Sequence, residues 1–126
     1  MRKATIYYNV TPHPMENKYW AKKSLEISFG EESNTVNLKK GFFTRYWRIM
    51  PIKEEVDEFN LMQSLEDVYA KYNNYDANPY SAQNGGQQVL KEIGVNHTSM
   101  MVGDVIKVGE EYYVVSGFGF KKLILT

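Results

Sequence analysis

The chain has no cysteine and only two histidines among its 126 residues. Disulfide scaffolds, thiolate metal centres and cysteine nucleophiles are excluded, and two imidazoles do not make a zinc site without unusual ligands. No metal and no cofactor is expected. Net charge is absent too, with 15 Lys/Arg against 15 Asp/Glu. Bulk electrostatics therefore draw the protein neither to nucleic acid nor to an anionic membrane. No apolar run reaches the roughly 18–20 residues that a membrane span needs. The opening "MRKATIYYNV" lacks the apolar region of a signal peptide. Without such a signal, the sequons at 9–11 and 96–98 are chance matches, and the protein is expected inside the cell.

What is present suits one domain over 1–126. Hydrophobic residues make up 43%, enough to bury a core, and ten Tyr, six Phe and two Trp favour strands or a contact surface. Charge is uneven along the chain. Residues 1–50 hold nine basic against four acidic groups, and residues 51–90 hold two against seven. These are either two faces of the surface or partners that neutralise each other.

"KATIYYNV" (3–10) is β-branched and aromatic and predicts a strand. "TPHPMENK" is a loop. "WAKKSLEISFG" places Leu25, Ile27 and Phe29 at a period of two, which predicts a second strand, and "EESN" a turn. Residues 45–50 read as a strand that Pro51 ends or confines to an edge. From Val56 to Tyr72 the apolar spacing becomes three and four, predicting a helix over 64–73 capped by Ser64. Residues 73–86 are polar and turn-rich. "QQVLKEIG" is a short helix ending at Gly94. Strands follow at 102–108 and 112–116, with a turn at 109–111, and "KKLILT" gives a last strand. The order predicts an α+β fold: an antiparallel sheet of five to six strands packed against one longer and one short helix. In "VGDVIKVGEEYYVV", Val105 and Ile106 fall on opposite faces, as do Tyr112 and Tyr113. A strand apolar on both sides is central, or covered twice.

The chemistry-bearing residues are few. His97, Ser99 and Asp104 lie within eight positions, but their spacing does not specify a catalytic triad and the G-x-S-x-G elbow is missing. They read more simply as groups bonding local backbone: Thr98 and Ser99 before a strand, Asp104 onto turn amides. A serine–lysine peptidase pattern is disfavoured: Ser99 and Gly103 are only four apart where that pattern has a longer segment, no glycine precedes the serine, and no lysine is clearly placed as a base. "GFGF" (117–120) is a bulge or kink rather than a phosphate loop, with Phe118 and Phe120 in the core. The acids at 54–58 are a solvated helix face rather than a cation site with Asp67. "KKGFFTRYWR" (39–48) interleaves basic and aromatic side chains. It suits core packing, a protein contact through Phe42, Phe43, Arg45, Tyr46 and Trp47, or single-stranded nucleic acid through Lys39, Lys40, Arg45, Trp47 and Arg48.

The tail, "HTSMMVGDVIKV…EYYVVSGFGFKKL", resembles the C-terminal signature of the YodL-like domain and of small uncharacterised phage and mobile-element proteins. The matching positions are His97, Ser99, Met100, Val102, Gly103, Asp104, Val105, Tyr112, Tyr113, Val114, Gly119 and Phe120. The resemblance covers 64–126. Met101 stands where the pattern has a second serine, which favours a structural part for that position. The resemblance implies a cytosolic accessory factor of a phage or mobile element in a bacterial host, with no catalytic residues. His97, Ser99, Gly103, Asp104 and Gly119 are its structural signature.

These readings converge on a non-enzymatic accessory protein that binds a host cytosolic protein, for host takeover or anti-defence. The expected surface is 42–47 with Tyr75 and Tyr80 in the neighbouring loop. The alternatives are a single-stranded nucleic-acid binder and a hydrolase using Ser99 and His97. Pairing of two copies through a sheet edge is a further possibility.

Overall fold

The computed structural model describes residues 1–30 and 33–126. The acidic pair inside the expected 31–34 turn lies outside them. Seven strands form one sheet: β1 (Arg2–Asn9), β2 (Thr35–Leu38), β3 (Trp47–Ile49), β4 (Glu54–Val56), β5 (Val105–Val108), β6 (Glu111–Ser116) and β7 (Gly119–Leu125). The order is β2-β7-β6-β5-β1-β3, with β4 also paired to β1. All pairings are antiparallel except β2 with β7. Among the described residues there are four α-helices: α1 (Lys18–Phe29), α2 (Lys40–Tyr46), α3 (Leu61–Tyr72) and α4 (Gln87–Ile93). The α+β class holds. The expected count of five to six strands and two helices is short by at least one strand and by two helices, and the sheet is mixed.

Both faces of the sheet are covered. One core joins Ile6, Tyr8, Ile106 and Val115 to Leu65, Val68 and Tyr72 of α3 and Leu90 of α4. The other joins Val105, Val114 and Leu123 to Trp20 and Ile27 of α1 and Phe43 of α2. Adjacent residues thus enter different cores, as the doubly apolar β5 and β6 require. No helix among the described residues is long and apolar enough to cross a membrane.

The segment expected as a second strand is α1. Asn17 caps it, its Oδ1 accepting from Trp20 N at 2.9 Å. Trp20 and Ile27, two turns apart, are buried, while Leu25 and Phe29 are exposed. At its other end Lys121, itself buried, donates from Nζ to the Glu26 carbonyl at 3.1 Å and to the Gly30 carbonyl. A cation here complements the carbonyl end of the helix, where Glu26 O also accepts from Gly30 N at 3.1 Å.

Three further expectations change. Helix α3 starts at Leu61, before Ser64, whose Oγ accepts from Asp57 N at 3.0 Å. The acids at 54–58 are not a helix face. Glu54 is buried in β4 and accepts from Tyr72 Oη at 2.9 Å and Lys71 Nζ at 2.8 Å. Gly117 and Phe118 form a two-residue hairpin turn, not a bulge, with Ser116 paired to Gly119 and Val115 to Phe120 at the start of β7. Phe118 sits exposed at its tip, and a Cβ on Gly117 would overlap the Ser28 carbonyl.

The buried tyrosines make alkaline stability a test of the first core. Burial pushes the Tyr8 and Tyr72 hydroxyls far above their ordinary value of 10.0, reinforced by Asp104 at Tyr8 and Glu54 at Tyr72. Raised values mean that the folded state keeps these protons after the unfolded chain has released them. Their contribution is complete below pH 10 and is lost as pH rises beyond it. In urea unfolding between pH 9 and 11, Tyr8→Phe should therefore lose stability less steeply than wild type. The expected difference is about 1.4 kcal/mol per pH unit above 10.

Candidate functional site

The C-terminal end of β1 lies beside the N-terminal entry to β5, because Tyr7 pairs with Val105. Between them, residues 101–104 form a turn closed by Asp104 N donating to Met101 O at 3.0 Å. Gly103 takes φ +99, and a Cβ there would meet Asn9 Nδ2 at 2.8 Å, so conformation and space both select glycine. Trp47 Nε1 donates to Gly103 O at 2.8 Å, tying the turn to the second core.

The Asp104 side chain is fully buried and has three partners. Its carboxylate accepts from Asn9 N at 2.9 Å, Met101 N at 2.7 Å and His97 Nε2 at 3.0 Å. Burial raises the carboxyl above its ordinary range, and the bonds from His97 and the two amides oppose the rise. His97 stacks on Tyr8, ring centroids 4.6 Å apart. One side-chain oxygen thus holds β1, and the other holds the turn and an imidazole.

With Nε2 bonded to Asp104, the neutral ring of His97 carries its proton there, and Nδ1 is an acceptor. Among the described residues no group bonds Nδ1. Among the described residues no buried side-chain nitrogen or oxygen lacks a partner, so solvent reaches it. His97 lines a groove of about 580 Å³ walled by Asn9, Thr11, Pro12, Pro14, Trp20 and Met101. The other histidine lines the same groove. His13 caps the 3-10 turn Pro14–Glu16, Nδ1 accepting from Met15 N at 3.1 Å. Its Nε2 is therefore a donor in the neutral form. Met101 and Val102 on the rim are 52% and 42% exposed, and Met15, next to Pro14, is 90% exposed.

The other predicted site residues lie elsewhere. Ser99 is exposed and lines a separate cavity of about 300 Å³ with Tyr72, Asn78 and Gln87. The expected local bonding of Thr98 and Ser99 is replaced by a longer link, Gln87 Nε2 donating to Thr98 Oγ1 at 3.1 Å. Ser24 does line the His97 groove, but its hydroxyl donates to Ala21 O at 3.0 Å. Gly119, at φ +100, serves the β6–β7 turn.

The aromatic-basic surface requires correction. Phe43 and Trp47 are core, Phe42 and Tyr46 are half-buried, and Arg45 is exposed. Tyr75 is exposed, whereas Tyr80 is buried in the opposite core, its Oη accepting from Ile52 N at 3.0 Å. The run 42–47 and the loop at 75–80 thus serve opposite faces of the sheet and make no single patch. The four rings of 42–47 pack on one another, and two cations of 39–48 lie over neighbouring rings, Arg45 over Tyr46 at 5.2 Å and Lys39 over Tyr19 at 5.1 Å. His13 is the groove residue that sequence reasoning missed. A Pro-His-Pro loop is its sole local signal.

No family model matches the chain, and no solved structure does. A curated protein, an uncharacterised protein of Acanthamoeba polyphaga mimivirus, is 36% identical over 64 residues. The match covers 51% of this chain and 56% of that relative's length. The chain is thus similar over half its length to a viral protein. Among the described residues no group of three or more acidic or histidine side chains converges as a metal centre.

Proposed function

We propose that the protein is a non-enzymatic accessory factor of a phage or mobile element that binds a host cytosolic protein, and that the His97 groove is its contact site. The observation that carries this is an exposed apolar rim, Met101 and Val102, on a groove whose polar floor is fixed by a fully buried carboxylate. Exposed apolar side chains around a rigid polar anchor are the anatomy of an interaction site. A hydrolytic reading needs a nucleophile poised on His97, whereas Ser99 lines a separate cavity and the Ser24 hydroxyl donates to Ala21 O. Similarity over half of the chain to an uncharacterised viral protein supports this reading, and so does the resemblance of the tail to the YodL-like signature.

The test is affinity capture from bacterial lysate by the tagged protein, with and without nuclease, eluted in steps of rising salt. Wild type should retain one protein at high salt after nuclease, and Val102→Glu should lose it. Retention that is nuclease-sensitive and lost at low salt would replace this reading with nucleic-acid binding, because phosphate contacts weaken steeply with salt.

A further inference from the structure

The cavity that Ser99 lines shares no residue with the His97 groove. It holds about 300 Å³, the low end of the roughly 300–1,000 Å³ of small-molecule sites, so its occupant is small. Among the described residues no charged side chain lines it, and every lining residue except Ala82 bears an amide or a hydroxyl group. Three of the amides are fixed to the fold by one end. Asn73 Nδ2 donates to Met100 O at 3.1 Å, Gln87 Nε2 donates to Tyr80 O at 2.8 Å, and Asn74 Oδ1 accepts from Asp76 N at 2.9 Å. Asn78 is buried and uses both ends, donating to Tyr72 O at 2.7 Å and accepting from Tyr80 N at 2.8 Å.

Among the described residues the other ends, Asn73 Oδ1, Asn74 Nδ2 and Gln87 Oε1, have no protein partner, and neither has the Ser99 hydroxyl. The lining thus supplies neutral donors and acceptors that the fold holds but does not use. An ion would lose its hydration here without meeting a counter-charge. An apolar ligand would strip water from these groups and bond none of them. A neutral ligand whose hydroxyls both donate and accept satisfies both kinds. Tyr75, another lining residue, is 62% exposed, and an aromatic face can pack on the C–H face of a sugar ring. We infer that this cavity binds a neutral sugar, its hydroxyls bonding Asn73, Asn74, Gln87 and Ser99 and its ring lying on Tyr75.

The experiment is proton–nitrogen correlation NMR of the intact protein, titrated with glucose, galactose and N-acetylglucosamine at millimolar concentration, and with glucose 6-phosphate and adenosine for comparison. At least one neutral sugar should shift the backbone signals of 73–75, 87 and 98–99, and the shifts should saturate. Tyr75→Ala should weaken that sugar roughly tenfold and Ser99→Ala roughly fivefold, the worth of a ring contact and of one hydrogen bond. Both side chains are exposed and, among the described residues, make no hydrogen bond within the fold, so circular dichroism should show both variants folded. No shift with any of the three sugars, or shifts confined to other residues, would overturn the inference. So would tighter binding of glucose 6-phosphate or adenosine, or undiminished sugar binding by folded Tyr75→Ala and Ser99→Ala.

Discussion

Replacing Asp104 with alanine should remove about 3–4 kcal/mol of stability, a fall in Tm of roughly 10–15 °C for a domain of this size. The substitution strands two backbone amides, Asn9 N and Met101 N, in a site where the residue has no solvent exposure. Each buried donor left without a partner costs about 1–3 kcal/mol. It also frees His97 from its orienting bond. Asp104→Asn, which keeps the volume but must turn one N–H donor toward other donors, should lose about 2 kcal/mol. Thermal unfolding followed by circular dichroism reads both values. If Asp104 merely faced solvent at the groove, alanine would leave Tm unchanged.

Trp47→Ala should be as damaging, about 3–5 kcal/mol, with the loss felt in folding rather than in contact with a partner. The ring is 4% exposed, stacks on Phe43 at 5.3 Å and meets Trp20 edge-on at 5.5 Å. Its Nε1–H is the only link described from the second core to Gly103 O, so truncation loosens the turn that carries Asp104 as well. Trp47→Phe keeps most of the ring and should lose about 1–2 kcal/mol, part of it the hydrogen bond. A role for Trp47 as a contact residue predicts the reverse, an unchanged Tm with loss of partner binding. Urea titration of both variants decides between them.

The reason such aromatics mislead is visible in α2. Strand-like residues, Phe42, Phe43, Thr44 and Tyr46, form a helix because Phe43 and Trp47 are one turn apart and both meet the same core. Packing overrides a weak local preference. In α1, alternation of Leu25, Ile27 and Phe29 competed with a seven-residue repeat of Trp20 and Ile27 behind an Asn cap. The repeat prevailed because it places two large side chains on the sheet. The tail was more legible. Gly109, at φ +62, turns β5 into β6, and the alternation of Val105 with Ile106 matches the two cores. Asp104 bonding a turn amide follows from local chemistry. That Asp104 also bonds Asn9, and that His13 shares its groove, depends on β1 pairing with β5 across about a hundred residues of chain, a long-range contact without a local mark.

The most direct measurement is photo-crosslinking in bacterial cells from a reactive amino acid placed at position 102, on the groove rim, or at exposed position 44 on α2. A groove that binds a host protein predicts one discrete protein adduct from position 102 and none from position 44. An adduct from position 44 alone, or crosslinks to nucleic acid from either position, would contradict it.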